Sequence, residues 1–294
     1  MDPLPALFLS HGSPMIALEP GDAGRFMQRL GPAIDARFGR PRAILAVSAH
    51  SLAPHHGGAP VLLAAARHTT VHDFGGFPDA LYRMRYDAPG APELAPRVAA
   101  LLAAAGIAAH TVDQGGLDHG IWTPLRYVYP DADVPVLPLA FDPGASPAAL
   151  FALGRALAPL AADGVLVLGS GSLTHNLRMI FGPGGRPPVD APEIAETAAF
   201  RAWVAERTEG GQWNDLFRYR ELAPHAVLMH PTDEHWLPFY VAAGAGVTDG
   251  HGGAEGPPAS RIHASVTYGS LAMDAYAFGP AAQALDDAML APAA

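Results

Sequence analysis

Ala6-Leu7-Phe8-Leu9-Ser10-His11 and, further on, Ala43-Ile44-Leu45-Ala46-Val47-Ser48-Ala49-His50 are two short apolar runs, each leading into a histidine. Runs of this length, bounded by polar and glycine-rich sequence, read as buried strands. Residues 22–38 between them carry a helical pattern, so the three segments make a βαβ unit with parallel strands and a right-handed crossover. His11 and His50 then stand at the carboxyl ends of two strands on one edge of the sheet, where open α/β sheets bind ligands.

The same reading extends outward. Val61–Ala65, Val134–Phe141, Val165–Gly169 and Ala264–Tyr268 are further strand candidates. Ser146 before Pro147 suits a helix N-cap with proline at the first helical position, and Leu150, Leu153, Leu157 and Leu160 continue its apolar stripe. Leu94, Val98, Leu101 and Leu102 form another stripe closed by Gly106, and a third helix is expected from Ala191 to about Arg207. Alternating strands and helices predict one α/β domain over residues 1–294, with a mainly parallel or mixed central sheet and helices on both faces. Gly- and Pro-rich stretches at 182–190 and 248–260 are expected to be mobile loops, and the alanine-rich tail 280–294 to be weakly anchored.

Composition narrows the chemistry. The chain has 294 residues, no cysteine and no lysine; all 18 basic residues are arginine, against 28 acidic ones, for a net charge of −10. Disulfides, thiolate nucleophiles and thiolate-bound metals are excluded, as are lysine Schiff bases and a phosphate-loop lysine. The acidic balance argues against a nucleic-acid partner. With no long apolar run and no basic leader near Met1, a cytoplasmic location is expected. Fourteen histidines remain as the obvious metal or acid–base groups.

His175 follows the third strand through Ser170-Gly171-Ser172-Leu173-Thr174, as His11 and His50 follow theirs. A single histidine after a strand is ordinarily a hydrogen-bonded loop residue; three in equivalent positions suggest a converging metal site. Glu234-His235, at the start of a helix through Trp236–Ala243, offers another imidazole beside two carboxylates, and Thr232 and Asp233 suit a helix cap. His55, His56 and His251 lie in glycine- and proline-rich surroundings and are expected at the surface. Arg83 and Arg85 receive no site role. Gly169-Ser170-Gly171 does not continue into a dinucleotide fingerprint, and no G-x-S-x-G elbow is present.

In order, Leu9-Ser10-His11-Gly12-Ser13-Pro14-Met15, Ser48-Ala49-His50, His72-Asp73-Phe74-Gly75-Gly76-Phe77-Pro78, Asp118-His119-Gly120, Thr174-His175-Asn176-Leu177 and Pro231-Thr232-Asp233-Glu234-His235 resemble the LigB-type (class III) extradiol ring-cleavage dioxygenases, in their DOPA-dioxygenase-like branch. The resemblance runs from about residue 6 to about 275. It implies His11, His50 and His235 as ligands of one divalent metal, with Glu234 a rival third ligand. It implies His175 as an acid–base residue or fourth ligand, His119 beside the substrate hydroxyls, and His72 and Asp73 in or behind the pocket wall. The implied reaction is cleavage of a catechol ring by O₂, with Fe(II) for turnover or Zn(II) as bound metal and no organic cofactor. A zinc hydrolase and a non-catalytic metal- or aromatic-binding protein are the alternatives the residues leave open.

Overall fold

The computed structural model describes residues 2–53, 58–182, 185–248 and 256–290. Its strands are β1 (Ala6–Ser10), β2 (Ala43–Ser48), β3 (Val61–Leu63), β4 (His110–Val112), β5 (Val136–Ala140), β6 (Val165–Gly171), β7 (Ala259–His263), β8 (Val266–Thr267), β9 (Leu271–Ala272) and β10 (Ala275–Phe278). The principal helices are α1 (Gly21–Phe38), α2 (Ala95–Ala104), α3 (His119–Val128), α4 (Pro147–Leu157), α5 (Ala195–Glu209), α6 (Leu237–Ala245) and α7 (Ala282–Leu290).

Eight strands form one sheet in the order β4-β3-β5-β2-β6-β1-β10-β7, and β8-β9 is a separate small hairpin. The centre is parallel, β6 lying between β1 and β2 with Leu7 opposite Leu168 and Ile44 opposite Leu166. Antiparallel contacts of β3 with β5, β1 with β10 and β10 with β7 make the whole sheet mixed. Side-chain alternation sends Leu7, Leu9, Ile44, Ala46, Leu166 and Leu168 to one face, and Phe8, Leu45, Val47, Val165 and Val167 to the other. Helices α1, α3 and α7 cover the first face; α2, α4, α5 and α6 cover the second. This is one domain with a mixed sheet between helical layers, as the central strands predict.

The edge strand departs from expectation. Residues 264–268 do not form a sheet strand; the sheet uses Ala259–His263, and only Val266–Thr267 pairs, with β9. An edge strand that alternates exposed Arg261 with buried Ser260 and Ile262 has no continuous apolar run to announce it. The helix expected from Ala191 begins at Ala195, beyond Pro192. The tail is anchored as far as residue 290, because Ala282, Leu285 and Met289 of α7 are buried against the α1 side of the core. Ser146 caps α4 as expected, its Oγ accepting from the Ala149 N–H at 3.2 Å. Thr232 and Asp233 do not cap α6 with their side chains. The Asp233 carbonyl accepts from the Trp236 and Leu237 N–H groups, while its carboxylate is engaged by Tyr219 and Arg220. His55, His56 and His251, together with residues 183–184 and 249–255 of the two expected loops and 291–294 of the tail, lie outside the described residues. No helix among the described residues is long and apolar enough to cross a membrane.

Candidate metal centre and active site

The parallel centre of the sheet sets the site. His11 follows β1 directly, and its N–H continues the ladder to the Gly171 carbonyl at 2.9 Å. His50 follows β2, where the Ala49 N–H reaches the Ser170 carbonyl at 3.0 Å. His235 arrives from the far side of the chain and is fastened by the Ser172 N–H to its carbonyl at 2.8 Å. That approach requires glycine at 171, where a Cβ would stand 2.1 Å from the His235 carbonyl oxygen. His119 opens α3, and His175 is fixed by its own N–H to the Met229 carbonyl at 2.8 Å.

The imidazoles converge. His50 Nε2 lies 3.3 Å from His11 Nε2 and 3.2 Å from His235 Nε2. Each ring has an acceptor behind it. The Ser170 hydroxyl donates to the Gly120 carbonyl, so its oxygen accepts from His11 Nδ1–H at 3.0 Å. His235 Nδ1–H reaches Glu234 Oε1 at 3.2 Å, and His50 Nδ1 lies 3.4 Å from Asp73 Oδ2. With the proton on Nδ1 in all three rings, three Nε2 lone pairs face one another with no proton between them. Protonation does not relieve this at neutral pH. Burial, reinforced by the neighbouring imidazoles, holds His11 and His235 well below the ordinary histidine range, and burial first and His119 second bring His50 down to about 4. Two nitrogens on one tetrahedral ion, each at ~2.0–2.1 Å, stand about 3.3 Å apart, so the spacing suits a shared cation.

Around this core, ligand-type atoms of His11, His50 and His119 lie within 4.8 Å of one another, as do those of His175, Glu234 and His235. His50 links the two sets. Asp73 braces two rings at once, accepting from His119 Nδ1 at 2.9 Å and from the His119 N–H at 3.0 Å while approaching His50. Burial is the largest single influence on the Asp73 carboxyl and pushes it upward, but the hydrogen bonds and charge of His119, with the charge of His50, together outweigh it and the group sits at about 2. His175 stacks on His235 with ring centroids 3.4 Å apart and planes 8° from parallel. Burial and the nearby His230 lower His175 to about 4. Glu234 Oε1 also accepts from Thr232 at 2.9 Å.

A cavity of about 990 Å³ opens over the cluster, with Phe74, Phe77, Ile180, Phe181 and Leu271 among its apolar walls. His72 does not line it. Its ring packs against Phe74, Tyr82 and Trp122, behind the wall that Asp73 and Phe74 form. Gly76 has φ +76° and supplies the turn that carries Phe77 into the pocket. Arg85 is spent on the Tyr82 and Met84 carbonyls and lies outside the pocket lining.

Several site residues are not marked as such by the sequence pattern. Ser170 orients His11, Ser48 and Ser51 each donate to the buried Asp118 carboxylate at 2.6 Å, and Arg186 and Tyr268 line the cavity. Serines at the carboxyl ends of otherwise apolar strands were the available clue for Ser48 and Ser170.

The LigB family model, described as the catalytic LigB subunit of aromatic ring-opening dioxygenase, matches residues 5–279. The chain belongs to this family. LigB-family relatives include the 4,5-DOPA dioxygenase extradiol of Beta vulgaris, 36% identical over 273 residues, covering 92% of this chain and 95% of the relative. That of Escherichia coli strain K12 is 39% identical over 247 residues, covering 82% of this chain and 85% of the relative. The crystal structure of an uncharacterized protein from Escherichia coli K12 superposes with a TM-score of 0.73 at 32% identity, covering 94% of this chain and all of that one. The motif resemblance to the DOPA-dioxygenase-like branch is thereby borne out.

Proposed function

We propose that this protein is a metal-dependent extradiol dioxygenase that opens the ring of a catechol. His11, His50 and His235 would hold one divalent ion, Fe(II) for turnover. The observation that carries the reading is the convergence of three Nε2 atoms, 3.2 and 3.3 Å apart about His50, beneath an aromatic-walled cavity. Glu234 is engaged by the His235 ring and by Thr232, which favours it as the group that orients His235 over its being the third ligand.

When bound, Fe(II) supplies open coordination positions and the one-electron chemistry that lets O₂ react with a catechol. The chain supplies the rest. Phe74, Phe77 and Leu271 receive the aromatic ring and exclude water. His175, neutral at pH 7, accepts a proton from a catechol hydroxyl, and the anion so formed favours the resulting imidazolium. His119, fixed by Asp73, faces the substrate hydroxyls. Both atoms of O₂ enter the ring-opened semialdehyde acid, so no external reductant is needed.

The test is anaerobic reconstitution with Fe(II), then oxygen and a small panel of catechols, with oxygen uptake and yellow product recorded. Zinc-loaded protein is the control and is expected to be inert, since zinc has no redox chemistry. Oxygen-independent ester or amide turnover by the zinc form, with silence in the iron form, would replace this reading with a hydrolase.

A further inference from the structure

Among the described residues, Arg186 is the one arginine lining the cavity. Its guanidinium donates to the Tyr268 hydroxyl and lies over the Tyr268 ring, 4.4 Å from the centroid, with the Phe181 ring 5.9 Å away. Nine of the other arginines are paired with carboxylates. Among the described residues, no carboxylate reaches Arg186. The acidic side chains of the cavity wall are already engaged, Asp73 by His119 and Glu234 by His235 and Thr232. A guanidinium has five N–H groups in a rigid fork that matches a carboxylate, and Tyr268 occupies only one.

The pair is built in from both sides. Tyr268 is a non-glycine residue with φ +54°, a left-handed conformation that persists where surrounding structure enforces it. The enforcement comes from the segment that carries Arg186: the Tyr268 N–H donates to the Val189 carbonyl at 3.0 Å, and the Ile194 N–H to the Gly269 carbonyl at 3.0 Å. Arg186 is thus set at the cavity edge by a backbone seam.

We infer that Arg186, seated on Tyr268, recognises an anionic substituent, a carboxylate, on the aromatic substrate and so sets the pocket's preference for acidic over neutral catechols. The inference rests on the catechol reading of the site. The histidine cluster takes the diol and Arg186 takes the acid, and a cavity of about 990 Å³ has room for a ring with a side chain. In a chain of net charge −10, an acidic ligand meets a repulsive field unless a local cation offsets it.

The experiment compares 3,4-dihydroxyphenylacetate with 3,4-dihydroxyphenylacetamide, matched in size but differing in charge. Binding is measured by calorimetry on zinc-loaded protein under nitrogen. The wild type is expected to favour the acid, and Arg186→Gln to reduce the affinity ratio about tenfold or more. Arg186→Lys should restore part of it, and Arg85→Gln should leave the wild-type ratio. Rising salt should lower the ratio in the wild type more than in Arg186→Gln. Binding of both catechols with the same ratio in wild type and Arg186→Gln overturns the inference and leaves the catechol reading intact. Failure of both to bind the wild type overturns the catechol reading, and this inference with it.

Discussion

The Nε2 atoms of His11 and His50 face each other at 3.3 Å across the carboxyl ends of two strands that both pair with β6. Because Ser170 and Asp73 take the Nδ1 side of the two rings, neither can turn a donor toward the other. His11→Ala and His50→Ala are each expected to reduce bound metal from about one ion per chain to near zero. Elemental analysis after dialysis checks this, and full metal content in both variants would remove the ligand assignment.

Glu234 and His235 are adjacent in sequence but differently employed. The carboxylate accepts from the ring it would otherwise compete with. His235→Ala should therefore lose the ion, whereas Glu234→Gln should keep it with affinity weakened about 10- to 100-fold, the usual loss when an orienting partner is removed. Competition against a calibrated chelator separates the two. The reverse order would make Glu234 the ligand.

The strand-then-histidine pattern made His11, His50 and their shared sheet edge legible, because a buried parallel strand is a continuous apolar run and the residue after it must lie at the ligand-binding edge. His235 was legible only as a histidine beside a helix start. What brings it in, the bond from Ser172 and the close pass at Gly171, joins segments far apart in the chain. Arg186 left no trace for the same reason: its partner Tyr268 lies 82 residues away, in a turn that the apolar pattern suggested was a strand.

Acid should weaken the fold through His230 before the carboxylates titrate. The ring is fully buried, its Nε2–H donates to the Leu173 carbonyl at 2.8 Å, and burial holds its pKa at about 4 against an ordinary 6.5. Between those values the unfolded chain binds a proton that the native chain refuses. This contribution to stability is therefore complete above pH 6.5, falls as pH drops through that range, and levels off near 4. In metal-free protein, urea midpoints should fall between pH 7 and pH 5. His230→Gln should make the dependence around pH 5 less steep by about 1.4 kcal/mol per pH unit, one proton's worth. An unchanged slope would show that His230 is not among the groups responsible.

His175 is where ligation and proton transfer predict different outcomes. Its ring lies on that of His235, 3.4 Å between centroids and 8° from parallel. Ring-nitrogen lone pairs lie in the ring plane, so two imidazoles stacked this nearly parallel would not both direct a lone pair at one ion. His175 lines the cavity, and one of its ring nitrogens lies within 4.8 Å of the His235 and Glu234 ligand atoms, where a substrate hydroxyl can reach it. His175→Gln should consequently retain near-stoichiometric metal and bind catechol, yet lose turnover by about a hundredfold or more, the range typical of a positioned acid–base group. Metal analysis, binding titration and oxygen uptake on the same preparation check all three at once. Loss of metal would make His175 a ligand, and retained metal with near-normal turnover would leave it a packing partner of His235 alone.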